Sequence, residues 1–175
     1  MVQSACLENR CPQGHGGSNP SPGVKNIKKK QTEQKMKIRK GVAVVIFARI
    51  NNKKKYLILK RKLHWNGWEL LKGGLKNREN ENNAIRREIK EETGKSFCDY
   101  ILKKTKYSYS FVYQKLFVHD KILWNGARNR VYAAEFNNFK IKLDKNEHSG
   151  FKWVSKKDAL KLLTWTEQKK VLRKI

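Results

Sequence analysis

The sequence predicts one domain of mixed α/β character, either α/β or α+β, built on a mixed sheet. Three observations carry that expectation. Gly41 to Ile50 is a β-branched apolar run, the signature of a strand buried on both faces. Tyr107 to Tyr113 alternates strictly, which is the period of a strand. Asn80 to Gly94 has the composition and the end signals of a helix, and strands and helices then alternate to the end of the chain.

The elements follow in order. Gly41–Ile50 is the first strand. Asn51 to Lys55 reads as a polar turn and Tyr56 to Leu59 as a second strand. Trp65 to Trp68 leads into a short segment, Glu69 to Leu71. Gly73-Gly74 and a polar loop precede a helix from about Asn80 to Thr93, with Asn80 as its N-cap and Gly94 as its stop. In Tyr107–Tyr113, Tyr107, Tyr109, Phe111 and Tyr113 share one strand face, a stripe better suited to sheet packing than to base stacking. Arg130 to Phe136 and Gly150 to Val154 are further strands. Ser155 with Asp158 is a capping-box signal for a helix through Leu163. Thr164 with Glu167 repeats it for a last helix to about Lys174.

A chain of 175 residues has room for one domain with a real core. The first 35 residues stand apart. They contain all three prolines (Pro12, Pro20, Pro22) and little apolar periodicity, so they are expected to be disordered. Cys6, Cys11 and His15 lack a fourth ligand and a zinc-like spacing. Gly17-Ser18-Asn19-Pro20 is the translation of a transfer-RNA T-arm sequence. That suggests a non-native extension, with Met36 as the true start and residues 36–175 as the folded domain. Amino-terminal sequencing of the native protein tests this, and a mature start near Met1 refutes it.

Charge is the unusual feature of the composition. Lys and Arg number 41 against 15 Asp and Glu, a net +26, which directs attention to polyanionic partners. Residues 36–175 retain +22 of it, 35 basic against 13 acidic side chains, so the tail is not the source. An A/T-rich genome, which favours Lys and Asn codons, is the competing explanation. The longest apolar run, Val42 to Phe47, is far too short to span a bilayer. Cys6, Cys11 and Cys98 are too sparse for a disulfide framework, and a cytoplasmic protein is expected.

The chemistry concentrates in the Gly73–Gly94 stretch. Glu88, Glu91 and Glu92 fall within an arc of about 100° on one helix face. Carboxylates so placed repel unless a cation sits among them, and hard divalent cations take oxygen ligands. A solvated helix face, with Glu91 paired to Lys95, is the competing reading of the glutamates alone.

Gly73, Glu79, Arg87, Glu88, Ile89, Glu91, Glu92 and Gly94 stand at the spacing G-x5-E-x7-R-E-U-x-E-E-x-G-U, where U is apolar. The stretch therefore resembles the Nudix box, with Lys95 at the final apolar position as the one departure. The resemblance covers about 36–175 and implies an α/β/α sandwich around a mixed β-sheet. It also implies hydrolysis of a nucleoside diphosphate linked to another group. Glu91 and Glu92 would then hold Mg²⁺ or Mn²⁺, with the Gly73 carbonyl completing the shell. Glu88 would be a ligand or the base, and Arg87 and Glu79 a supporting pair.

Within the family, the segment Glu147 to Val154 and Lys72-Gly73 after Trp68 look like asymmetrical dinucleoside tetraphosphate (Ap4A) hydrolases. By that resemblance Glu147 takes a metal or base role and Lys72 faces the phosphates. Leu71 and Gly74 depart from the subfamily pattern. An exposed loop is the competing reading of Glu147 and His148. Tyr113 is a candidate for substrate binding, with Tyr107, Tyr109, Trp65 and Trp124 as other stacking candidates.

Three functions remain open on the sequence. One is hydrolysis of a dinucleoside polyphosphate. Another is removal of pyrophosphate from nucleoside triphosphates or from a triphosphorylated RNA 5′ end. The third is a non-catalytic basic scaffold that binds nucleic acid.

Overall fold

The computed structural model describes residues 37–119 and 122–175. The expectations for the first 35 residues lie outside the described residues. The elements are β1 (Ile38–Ile50), β2 (Lys53–Arg61), β3 (Gly67–Glu69), β4 (Leu71–Gly74), α1 (Glu81–Thr93), β5 (Tyr100–His119), β6 (Ile122–Phe136), β7 (His148–Val154), α2 (Lys156–Leu162) and α3 (Thr166–Lys174). A single 3-10 turn, Phe97–Asp99, joins α1 to β5.

These elements form one mixed sheet with a helix layer on each face. β1 runs parallel to β6 from Ile38 to Ala48, and the remaining strand pairs are antiparallel. Alternate residues of the β1 run face opposite layers, as a doubly buried strand requires. Val42, Val44, Ile46 and Ala48 pack with Ala84, Ile85 and Ile89 of α1. Ala43, Val45 and Phe47 pack with Ala159, Leu163, Val171 and Leu172 from the α2–α3 layer. The α/β/α sandwich that the family resemblance implies is therefore present.

The sheet is split where the site forms. β1 and β2 pair from Phe47↔Tyr56 to the hairpin turn and then part. β3 pairs with the freed length of β2, and β4 with Gly41–Val44 of β1. The chain crosses this wedge at Leu70. Its backbone N–H donates to the buried Gln168 side chain of α3 at 2.9 Å, which satisfies the amide where the ladder is interrupted.

Several boundaries differ from the sequence reading. The polar turn is only Asn51-Asn52, both at positive φ (47° and 59°), so β2 starts at Lys53. Two such residues make a tight hairpin turn, and Asn tolerates the left-handed region. Gly73 and Gly74, left without an element in the sequence reading, close β4. β5 and β6 are much longer than the alternating cores that signalled them, and β5 carries register shifts between Lys104 and Ser108 and between Val112 and Phe117. Thr164 does not cap the last helix. Its hydroxyl accepts from the Trp68 N–H at 3.0 Å, tying the α2–α3 connection to β3, and Trp165 stands at the N-cap position. The stripe Tyr107, Tyr109 and Phe111 packs into the α2–α3 layer, as sheet packing requires.

Candidate active site

α1 is fixed at both ends by the residues the sequence marked. The Asn80 side chain accepts from the Asn83 N–H at 2.9 Å. Gly94 takes φ 70° and returns its N–H to the Lys90 carbonyl. Ile85 and Ile89 hold the helix on the sheet, and this turns Glu88 and Glu92 inward while Glu91 stays half exposed.

Arg87 organises the loop before the helix. Its Nε and Nη2 donate to the two oxygens of Glu79 at 2.9 and 2.8 Å, and Nη2 also donates to the Gly74 carbonyl at 3.1 Å. The Lys76 N–H donates to Glu79 as well. This bidentate pair pulls the Glu79 carboxyl down to about 2 and raises Arg87 further. Arg87 Nη1 meets Glu88 at 2.6 Å and Glu91 at 3.2 Å. One guanidinium thus ties Glu79, Glu88 and Glu91 to the β4 backbone.

Gly73 lies against Glu88, and a Cβ at Gly73 would overlap that carboxylate. The glycine is needed for this close approach of strand and carboxylate. Burial pushes Glu88 above the ordinary carboxylate range, against the pull of Arg87. Glu92 is pushed well above it, first by burial and then by the charge of Glu88. Its Oε2 is buried and has no hydrogen-bond partner. Among the described residues, no three His, Cys, Asp or Glu side chains converge tightly enough to form a metal cage. Glu91 instead rests on Arg87.

Glu147 arrives from the far end of the chain. Its carbonyl accepts from the N–H groups of Lys62 and Leu63, and its carboxylate sits 2.7 Å from Arg61. The β2–β7 register slips between Lys60 and Arg61, leaving Ser149 as an extra residue beside Lys60. A bulge of this kind re-aims the side chains beside it. Here it turns His148 inward, and Glu147 comes close enough for its charge to act on both Glu88 and Glu92. The exposed-loop reading is corrected for His148, which is 1% exposed at the start of β7.

Lys72 on β4 is mostly buried, with Nζ 2.7 Å from Glu69. Tyr113 is half-buried, packs edge-on against Phe111, and feels the charges of Arg39 and Lys72. The structure thus brings Lys72 and Tyr113 to one neighbourhood. Tyr109 is buried and bonded toward Gln168, Trp65 packs on Trp165, and the Trp124 indole N–H is buried. Tyr109 is therefore withdrawn as a stacking platform.

Sequence reasoning missed Glu69 and Arg61. Glu69 is 1% exposed and lies near Lys72, Arg61 (3.4 Å) and His148 (3.8 Å). Burial would raise its carboxyl, but those neighbours outweigh it and leave it below the ordinary range. The available signal was an acid inside the apolar run Trp68–Leu71 with a lysine three residues on. His148 Nε2 is also 3.9 Å from Glu92, and neither ring nitrogen has a hydrogen-bond partner.

A sequence profile described as the NUDIX domain matches residues 39–175. No curated protein sequence matches the chain. Among solved structures, a Caenorhabditis elegans Ap4A hydrolase binary complex superposes with TM-score 0.64 at 23% identity, over 78% of this chain and 94% of that one. The Escherichia coli dihydroneopterin triphosphate pyrophosphohydrolase gives TM-score 0.64 at 19% identity, over 81% and 97%. The NUDIX domain of Shewanella oneidensis NrtR, complexed with ADP ribose, gives 0.61 at 15%, over 78% and 84%. At these identities the likeness is one of fold.

Proposed function

The chain belongs to the NUDIX domain family and is a pyrophosphohydrolase, and from that premise we propose that it cleaves a pyrophosphate bond of a dinucleoside polyphosphate such as Ap4A. The observation that carries the reading is the meeting of Glu147, held on Arg61, with the buried pair Glu88 and Glu92. The subfamily resemblance assigns Glu147 a metal or base role, and its nearness to Glu88 and Glu92 supports that reading.

Nudix hydrolases generally use divalent metals such as Mg²⁺. The donor set fits one. Two buried carboxylates with raised proton affinity, one oxygen of them unbonded, require either protons or a cation. Glu88, Glu91, Glu92 and the Gly73 carbonyl are the groups that would hold Mg²⁺ or Mn²⁺. When bound, the metal neutralises phosphate charge and lowers the pKa of coordinated water.

The chain's own residues do the rest. Glu88, its proton affinity raised by burial and its carboxylate held by Arg87, accepts the proton of the attacking water. Glu147 helps to orient that water. Arg87 and Glu79 keep the loop and helix in register. Lys72 presents its ammonium to the polyphosphate, and Tyr113 stacks on a base.

A second reading is supported by the charge. A domain at +22 suits a triphosphorylated RNA 5′ end, because each phosphate neutralised by Lys or Arg adds salt-sensitive affinity. A purely binding scaffold is disfavoured, since it has no use for two buried, repelling carboxylates. A substrate panel with Mg²⁺ decides among the three. ATP plus AMP from Ap4A supports the first reading. Pyrophosphate from RNA or nucleoside triphosphates, with Ap4A inert, supports the second. Inactivity on all of them sinks both substrate readings.

A further inference from the structure

We propose that Glu69 is a positioning residue that sets Lys72 and Glu147 in place together; the assignment rests on the site roles proposed above. The four charged side chains Lys72, Glu69, Arg61 and Glu147 form an alternating string. Glu69 Oε2 faces Lys72 Nζ at 2.7 Å. Glu69 Oε1 accepts from Arg61 Nη1 at 3.4 Å, and that same nitrogen lies 2.7 Å from Glu147 Oε2. The members come from β4, β3, β2 and the residue before β7, so the string ties together the strands that border the split in the sheet.

Glu69 is the member with the least access to solvent. Its side chain is 1% exposed, against 20% for Lys72, 13% for Arg61 and 37% for Glu147. A carboxylate so buried persists only if its cations stay with it, and they in turn lose the freedom of their long stems. The backbone makes the arrangement rigid. Glu69 stands opposite Leu59, while Arg61 stands opposite both Gly67 and His148. Arg61 Nε also donates to the Leu63 carbonyl at 3.3 Å, in the turn whose N–H groups hold Glu147. Removing the charge at Glu69 therefore frees the ammonium that would meet phosphate and loosens the guanidinium that holds Glu147.

A buried counter-ion that served folding alone would leave kinetics untouched in every variant that folds. The test measures kcat on the best substrate of the panel and affinity for a methylene-bridged diadenosine tetraphosphate. The variants are Glu69→Gln, Lys72→Met, Arg61→Gln and the charge-balanced Glu69→Gln/Lys72→Met, which folds without an unpaired buried cation. Glu69→Gln is expected to weaken analogue binding as much as Lys72→Met does. It is also expected to lower kcat about 10²-fold, the scale of a small misplacement of a reacting group. In the Lys72→Met background it leaves analogue affinity unchanged but still lowers kcat. Wild-type kcat and affinity in a folded Glu69→Gln or double variant overturn the proposal. If the wild type itself is inert, the function reading falls and a crystal structure of the double variant decides for Glu69. An Arg61–Glu147 separation beyond 4 Å supports its positioning role, and an unchanged pair overturns it.

Discussion

Glu88 and Glu92 face inward from one helix, and the buried Oε2 of Glu92 has no hydrogen-bond partner among the described residues. This arrangement has two measurable consequences. Glu91→Gln and Glu92→Gln are expected to lower turnover by at least about 10²-fold with the fold retained, as loss of a charge-stabilising group does. Near wild-type rates would show that the metal site is misassigned. The second consequence is on stability without metal. The folded-state pKa of Glu92 is raised, so the native state binds more protons than the unfolded one between the two values. Its contribution is therefore most favourable below the ordinary carboxylate pKa and is lost as pH rises through the folded value. Thermal melts of metal-free protein are expected to show Glu92→Gln more stable than wild type at neutral pH and equal to it in acid. Saturating Mg²⁺ closes the gap by binding the native wild type. Gly73→Ala tests the close approach of strand and helix. Its Cβ displaces the Glu88 carboxylate, so activity is expected to fall further than the melting temperature indicates.

At the scale of elements, α1 is the part that most needs to stay rigid, because it carries three of the proposed ligands. Asn80→Ala removes the cap and is expected to cost about 1 kcal/mol in denaturant unfolding. Gly94→Ala forces a Cβ into the left-handed region 2.9 Å from Lys142 and is expected to cost about as much or more. Both caps were legible because capping is local chemistry, written in residues a few positions apart. The same holds for the β1 run, whose alternate residues supply both core layers, and for the Nudix spacing, which assembles on the end of β4, one loop and one helix. Lys95, the departure from that spacing, sits buried with Nζ donating to Asn138 at 2.7 Å. Its stem fills the apolar position and its head is tied down. Thr164 and Glu69 were not legible in this way. Thr164 has the pattern of a cap but spends its hydroxyl on β3, across 96 positions of sequence. Glu69 becomes a buried anchor only because β1 and β2 part and β3–β4 fill the gap. No local pattern encodes that divergence, nor the bulge that turns His148 inward. The lengths of β5 and β6 likewise come from pairing with each other and with β1, beyond the stretches where their own sequence alternates.

The whole molecule combines a strongly basic domain with a small acidic site. On the proposed function, the charge surplus would draw polyphosphate to the surface and Glu88, Glu91 and Glu92 would hold the metal that meets it. No helix among the described residues is long and apolar enough to cross a membrane. The split sheet is what joins sequence to chemistry, since it brings β4, α1 and the Glu147 turn to one place. The reaction proposed there is metal-dependent hydrolysis of a dinucleoside polyphosphate. Its most direct test is product analysis after incubation of the protein with Ap4A and Mg²⁺. ATP and AMP are expected in equal amounts, and chelation or Glu92→Gln is expected to abolish their release. Intact Ap4A under conditions where triphosphorylated RNA loses pyrophosphate would contradict it.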